Sequence, residues 1–207
     1  DDPVGYVSSP HNFDGRLVSS LAYYSNFASG PEANLRWLAQ QVVPVMRSQE
    51  TLGINPLSAF ASILFSDEAL QYTNTHGPMP LKDYKVLKEK HPLTYEKQSE
   101  VYAQLFADLV RADSLLADYA QHPDARLDDY IVSTDRLTQR TTAKDIVKQW
   151  RKYANSLILR MAMTAVNVDG YTVSINGEEK TMRQLAEEAV GRGVLEPGDK
   201  PIALVCG

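Results

Sequence analysis

The sequence predicts an all-α fold: a helical bundle of tetratricopeptide-like helix pairs, with one small β-hairpin near residues 171–180. Three observations carry this expectation. Apolar residues recur at three- and four-residue spacing over several long stretches, the period of one helix face. The helix starts near 56 and 94, and those near 143 and 181, are each separated by about one helix-pair repeat. Between the last two helices the strand-like Tyr171-Thr172-Val173-Ser174-Ile175 runs into Asn176-Gly177, the strongest two-residue hairpin signal.

Residues 1–30 are rich in Ser, Gly, Pro and Asn and read as loop, with Leu17 to Tyr24 alone continuous enough for a short helix or buried strand. Periodic sequence begins at Ser29-Gly30-Pro31-Glu32, where a small cap precedes a proline whose missing N–H costs nothing in a first turn. Leu35, Leu38, Val42, Val45 and Met46 supply an apolar face, and Pro44 inside that pattern predicts a kink or a break. Asn55-Pro56 repeats the start. Ala59, Phe60, Ile63, Leu64 and Leu70 carry a second helix to about Thr75, and Gly77-Pro78-Met79-Pro80 ends it.

Residues 81–93 read as a basic, polar connector. Thr94 opens the longest helix, over 94–120, with Val101, Leu105, Leu109, Ala112 and Leu116 on one face and Lys97, Glu100, Asp108 and Arg111 on the other. Residues 124–142 have weak periodicity and read as a long loop. A fourth helix runs over 143–167, striped with Trp150, Ala154, Leu157, Met161 and Ala165, and Gly170 breaks it. Thr181-Met182-Arg183-Gln184 has the form of a capping box and opens a last short helix, ended by Gly191 and Gly193. The organisation implied is one helical domain over 1–207, a loop-rich segment at 1–30 followed by a helical core at 31–195.

Composition removes several function classes. With 207 residues, 43% hydrophobic and 23% charged, the chain has the make-up of a globular domain with one buried core. A net charge of −5 disfavours nucleic acid as a partner, because such binders neutralise phosphates with clustered Lys and Arg. No stretch is apolar and long enough to span a bilayer. The single Cys206 excludes an internal disulfide framework and any multi-cysteine metal site. It sits in the apolar run Ile202-Ala203-Leu204-Val205-Cys206-Gly207, which reads as a buried strand-like segment of a chain that continues further. The start, Asp1-Asp2-Pro3, reads as that of a processed or excised protein, so the chain is expected to be a fragment of a longer one.

Catalytic signatures are missing. There is no Gly-x-Ser-x-Gly elbow, no His-Glu-x-x-His pair and no phosphate-cradling glycine loop. His11, His76, His91 and His122 stand singly in predicted loops or helix ends, and the pairs Asp128-Asp129 and Glu187-Glu188 read as solvated faces. The expectation is a binding protein, not an enzyme, with no catalytic residue, metal or cofactor.

Four segments resemble one family in its order. Ala59-Phe60-Ala61-Ser62-Ile63-Leu64-Phe65-Ser66, continuing through Tyr72-Thr73-Asn74-Thr75-His76-Gly77-Pro78-Met79-Pro80-Leu81, is similar to a SusD-like helix that ends in a "yGdiPy" turn. Tyr102 to Leu116 resembles that family's "DLdeA..LL" helix. Trp150-Arg151-Lys152-Tyr153-Ala154-Asn155-Ser156-Leu157-Ile158-Leu159-Arg160-Met161-Ala162-Met163 closely resembles its "WkkfANSLrLRlAmR" helix, the most specific of the four. Ala186-Glu187-Glu188-Ala189-Val190 is similar to the "AeeAv" segment that follows. The chain departs from the family in the insertion between Asp128-Asp129-Tyr130 and Trp150, and in Thr164, where an Arg is common. The resemblance, to the SusD/RagB family, implies a surface-exposed lipoprotein of the outer membrane. Its implied membrane link is an N-terminal lipid anchor absent from this chain. Its implied role is to capture oligosaccharides or related nutrients beside a SusC-like TonB-dependent transporter.

Sugar recognition calls for exposed aromatic faces on pyranose rings, with amides and charged groups reading the hydroxyls, on loops of a rigid scaffold. Phe13 beside Asn12 and Asp14, Asn26 beside Tyr24, Trp37 beside Arg36, and Tyr84 in the connector have that chemistry. These four are the expected ligand-binding residues; the competing reading for each aromatic is core packing. Trp150, Tyr153, Leu157 and Met161 read as core, and Asn155 and Arg160 as polar residues that fix the scaffold. The alternative function is a helical-repeat scaffold that binds another protein and no small ligand.

Overall fold

The computed structural model describes residues 25–88 and 92–203 of the chain. Within them the order is α1 (Ser25–Thr51), α2 (Asn55–His76), α3 (Leu81–Lys85), α4 (Gln98–Gln121), α5 (Ala125–Thr134), α6 (Ala143–Ala165), β1 (Thr172–Ile175), β2 (Glu178–Thr181) and α7 (Met182–Arg192). The long helices stack in series: α1 on α2, α2 on α4, α4 on α6 and α6 on α7. Side-chain pairs fix the directions. Asn74 meets Tyr102 while Ser58 lies near Ala112, and Asp113 meets Arg151, so α2, α4 and α6 are successively antiparallel. This is the tetratricopeptide-like array of helix pairs expected from the repeat spacing.

Helix α2 is the centre of the stack. It buries residues around its whole circumference, from Leu57 and Phe60 to Ser58, Ser66, Ala69 and Thr73. A helix with neighbours on several sides needs no polar face, and its small Ser and Ala positions let those neighbours approach. Gly77, at φ 80, ends it by donating its N–H to the Thr73 carbonyl (2.8 Å), a backbone angle that favours glycine.

Several elements differ from the sequence expectation. Helix α1 starts at Ser25 and runs through Gly30, Pro31 and Pro44 without a break. The carbonyl that Pro44 leaves without a donor belongs to Gln40, and both residues face solvent, so the carbonyl is open to hydration and the lost bond costs little. Its fully buried line is Leu35, Ala39 and Val43; of the expected face, Leu35 is buried, Leu38 and Val42 pack half-buried against the core, and Val45 is exposed. The connector at 81–93 contains α3, whose Leu81 and Tyr84 are both buried. Helix α4 begins at Gln98 because the residues before it are otherwise engaged: Thr94 donates its N–H to Asp83 (2.7 Å), and Glu96 pairs through its backbone with Met79. The expected loop at 124–142 contains α5. Asp124 caps it by accepting from the Arg126 N–H (3.0 Å), and Ile131 alone is fully buried, which explains the weak periodicity.

Other expectations hold. The hairpin pairs Thr172 with Thr181 and Ile175 with Glu178, and Asn176 (φ 54) and Gly177 (φ 85) both turn left-handed, as a type I′ turn requires. Thr181 and Gln184 form the capping box of α7, and Thr142 caps α6 through the Asp145 N–H (3.2 Å). Leu105, Leu109, Leu157 and Met161 are buried. Cys206 lies outside the described residues.

Trp150 joins α6 to α2. It is 2% exposed, stacks on Phe60 at 4.8 Å between ring centres, and donates its indole N–H to Asp135 Oδ1 (3.0 Å). Trp150→Ala is expected to cost about 3–5 kcal/mol in chemical denaturation, the usual range for truncating a core aromatic.

Burial also governs alkaline behaviour. It is the main cause holding the phenols of Tyr119, Tyr153 and Tyr102 above the ordinary tyrosine value, with Asp128 and Asp67 adding to the first two. Burial and the neighbouring Tyr102 push Tyr171 up to about 12. A raised folded pKa gives stability that is complete below the unfolded value of about 10 and is lost as pH climbs through the folded value. The urea midpoint should therefore fall as pH is raised from about 10 towards about 12, with phenolate absorbance delayed relative to the unfolded chain.

Candidate functional site

The expected binding residues meet the structure unevenly. Phe13 lies outside the described residues, and so does the side chain of Asn26, whose backbone is in the first turn of α1. Trp37 and Tyr84 are placed, and they stand in opposite environments. Trp37 is 62% exposed on α1, while Tyr84 on α3 is 2% exposed.

The packing of α3 on α1 explains the difference. Leu81 and Tyr84, three residues apart, share the inward face of α3. The helix is pinned from both sides. Its Lys82 N–H points at both oxygens of buried Glu96 (3.3 Å each), and Arg47 of α1 donates to the Lys85 carbonyl (2.8 Å). Lys85 in turn pairs with Asp108 of α4, whose carboxyl is held above the usual range by burial, against the pull of Lys85. Asp83 accepts from the Thr94 N–H and from Lys88 (3.1 Å), and these bonds hold its carboxyl below the usual range.

Between α1 and the end of α3 lies a cleft of about 240 Å³, lined by Arg36, Ala39, Gln40, Tyr84, Leu87 and Lys88. The Arg36 guanidinium sits 6.0 Å from the centre of the Tyr84 ring, a cation–π distance. Leu87 adopts φ 56, an angle rarely taken by a branched side chain. Tyr84 is thus a wall of the cleft and not a free platform. Trp37 follows Arg36 on α1 and offers its ring to solvent beside the cleft. Of the two rings, Trp37 alone gives an open aromatic face; it flanks the cleft without lining it, next to Arg36 in sequence and three residues from Gln40, while Lys88 lines the cleft paired with Asp83. That set can stack on a ring and hydrogen-bond to its substituents. Gln40 escaped the sequence reading; its three-residue spacing from Trp37 on one helix was the available signal.

The other singled-out residues are structural. Asn155 is fully buried: its amide donates to Asp113 (3.1 Å) and to the Arg151 carbonyl (3.0 Å), and its oxygen accepts from Arg192 (2.8 Å). Arg160 clamps Asp67 (2.8 Å), which also accepts from the Tyr153 hydroxyl (2.6 Å). Glu187 pairs with Arg183, and Glu188 with Lys180 and Arg192. His76 stacks on Tyr72 at 4.6 Å, and His122 meets Asp118 in solvent. Among the described residues, no group of three or more His, Cys, Asp or Glu is placed to hold a metal ion, and no helix is long and apolar enough to cross a membrane.

The family model described as "SusD-like: Susd and RagB outer membrane lipoprotein" matches residues 1–204. The chain belongs to the SusD-like family. Solved structures agree in fold. A chitin-binding SusD homologue from Flavobacterium johnsoniae aligns with a TM-score of 0.65 at 23% identity, over 94% of this chain and 36% of its own. SusD homologues from Bacteroides vulgatus (TM-score 0.60, 23% identity, 79% and 30%) and Bacteroides uniformis (0.59, 25%, 77% and 29%) follow the same path. The SusD-like chain therefore spans about a third of the length of these structures. No match is found among the curated proteins.

The burial contrast makes a prediction about the two aromatics. Tyr84→Ala should destabilise the fold by about 3–5 kcal/mol as a core truncation. Trp37→Ala should stay within about 0.5 kcal/mol, as is usual for exposed positions. Thermal or urea unfolding of the two variants checks it.

Proposed function

We propose that this SusD-like chain is part of a cell-surface protein that binds a glycan without catalysis and hands it to a SusC-like TonB-dependent transporter. The observation that carries the reading is the exposed ring of Trp37 beside the Arg36, Gln40, Tyr84 and Lys88 cleft, on a helix held rigidly by its neighbours. A ring fixed on a scaffold loses little freedom when it stacks, and the neighbouring amide and cations supply directional bonds to hydroxyls or carboxylates. The family's description as outer-membrane lipoproteins supports a place on the outer membrane through a lipid anchor, and the chitin-binding relative supports a polysaccharide ligand. Phe13 and Asn26 remain further proposed ligand contacts on the chemistry of their side chains.

Calorimetry against a panel of oligosaccharides, chitotetraose included, tests it. At least one should bind, and Trp37→Ala should weaken that binding about tenfold or more while the melting temperature stays put. Failure of every oligosaccharide to bind would return the chain to the protein-scaffold reading.

A further inference from the structure

A second concave surface lies away from the α1–α3 cleft, where the C-terminal ends of α2 and α6 meet the N-terminal end of α4 and the approach to β1. Its volume is about 560 Å³, and Asn74, Gln98, Ser99, Tyr102, Thr164, Ala165, Val168 and Tyr171 line it. Two phenol rings, Tyr102 and Tyr171, form part of the wall, and both are held by their hydroxyls. Tyr102 donates to Asn74 Oδ1 (2.6 Å), and Tyr171 donates to the Ser99 carbonyl (2.6 Å). Gln98 is fixed as well, its amide N–H₂ bonded to the Thr73 carbonyl (2.7 Å), so its carbonyl oxygen is the end left for a ligand. Asn74, its oxygen engaged by Tyr102, offers the complementary N–H₂.

We infer that this groove is a binding site for an uncharged, polyhydroxylated ring compound, the end of a neutral oligosaccharide. Four features select that class. The volume falls within the range of small-molecule sites. The lining carries amides, hydroxyls and aromatic rings but no Asp, Glu, Lys or Arg, so an ionic ligand would lose its hydration without a countercharge. An amide acceptor and an amide donor, each oriented by a bond at its other end, suit adjacent ring hydroxyls, which both give and accept. Ala165, Val168 and the two phenol rings supply the apolar faces on which the C–H side of a pyranose packs. A phenol ionises only near pH ~10, and burial raises both of these further, so the groove is neutral through the physiological range.

The contrast with the first cleft is one of charge. Arg36 and Lys88 line that cleft, and nothing ionisable except two neutral phenols lines this one. The ligand class proposed for the groove rests on the glycan-binding reading; its location does not.

The test uses the 207-residue chain with chitotetraose, xylotetraose and maltotetraose as neutral probes and tetragalacturonate as the anionic control. Binding is read by calorimetry and by NMR shifts of the Asn74 and Gln98 side-chain amides. Two variants at exposed positions address the groove, Asn74→Ala to remove a donor and Thr164→Trp to fill the space, with Trp37→Ala as the comparison. At least one neutral tetrasaccharide should shift both amides, and each groove variant should weaken it at least tenfold; Thr164→Trp should do so without lowering the melting temperature, whereas Asn74→Ala also takes the acceptor from the Tyr102 hydroxyl and should lower it. Those shifts should survive Trp37→Ala. Loss of all binding in Trp37→Ala with the groove variants unaffected would overturn the groove and leave the first cleft standing. Groove variants that abolish binding while Trp37→Ala does nothing would support the groove and remove the first cleft. Equal binding of tetragalacturonate in the groove, or no shift of either amide by any neutral probe, would overturn the inference.

Discussion

Asp113 of α4 is 3% exposed, and the arrangement of three helices depends on how that buried carboxylate is neutralised. One oxygen accepts from Arg151 (2.9 Å) and Asn155 (3.1 Å) of α6, and the other lies 3.3 Å from Arg192 at the end of α7. A carboxylate withdrawn from water without such partners costs several kcal/mol, so α4, α6 and α7 are held to the one register that brings the partners together. Hydrophobic burial would tolerate a helix sliding by a turn; this cluster does not. Its reach extends further, because Arg192 also touches Glu188 (3.4 Å), and Glu188 takes Lys180 of β2 (2.6 Å), which ties the hairpin to the same centre.

The same device recurs at each place where a candidate binding surface must be kept still. Asp67 joins α2 to Tyr153 and Arg160 of α6. Glu96 and Asp83 fix α3 and the segment that follows it, so Arg36 of α1, Tyr84 of α3 and Lys88 just beyond α3 come together. Around the neutral groove the ties are phenol hydroxyls in place of carboxylates, which holds the rings without bringing charge to the surface. In each case the polar groups of the scaffold are consumed by one another. The groups left facing solvent are therefore already oriented, and a ligand meets a surface whose ordering cost has been met in folding.

The long helices were legible because their evidence is local. Leu105, Leu109 and Leu116 on α4, or Trp150, Leu157 and Met161 on α6, repeat at helical spacing, and Asn176-Gly177 and Thr181 with Gln184 mark turn and cap within a few residues. Helices α3 and α5 were illegible for the converse reason. The first is a single turn anchored by Leu81 and Tyr84, the second buries Ile131 alone, and neither can show a period. Pro44 carried a local signal that was overridden, since its exposed turn of α1 leaves the freed carbonyl to water.

The sequence by itself determined that this is an α-helical array with one hairpin, that it resembles SusD-like proteins through the Trp150 to Met163 helix, and which residue types could meet a sugar. Tertiary structure alone decided which of those residues are available. Trp37 and Tyr84 were equal candidates as a sequence, yet one ring is open and the other is wedged beneath Arg36. The neutral groove gathers Asn74, Gln98, Tyr102, Thr164 and Tyr171 from positions up to a hundred residues apart, near the ends of elements where no periodicity marks them. Periodicity reports which face of an element is apolar. Exposure and convergence depend on which neighbours cover that face, and those neighbours are fixed only when Asp113, Asp67 and Glu96 find their partners.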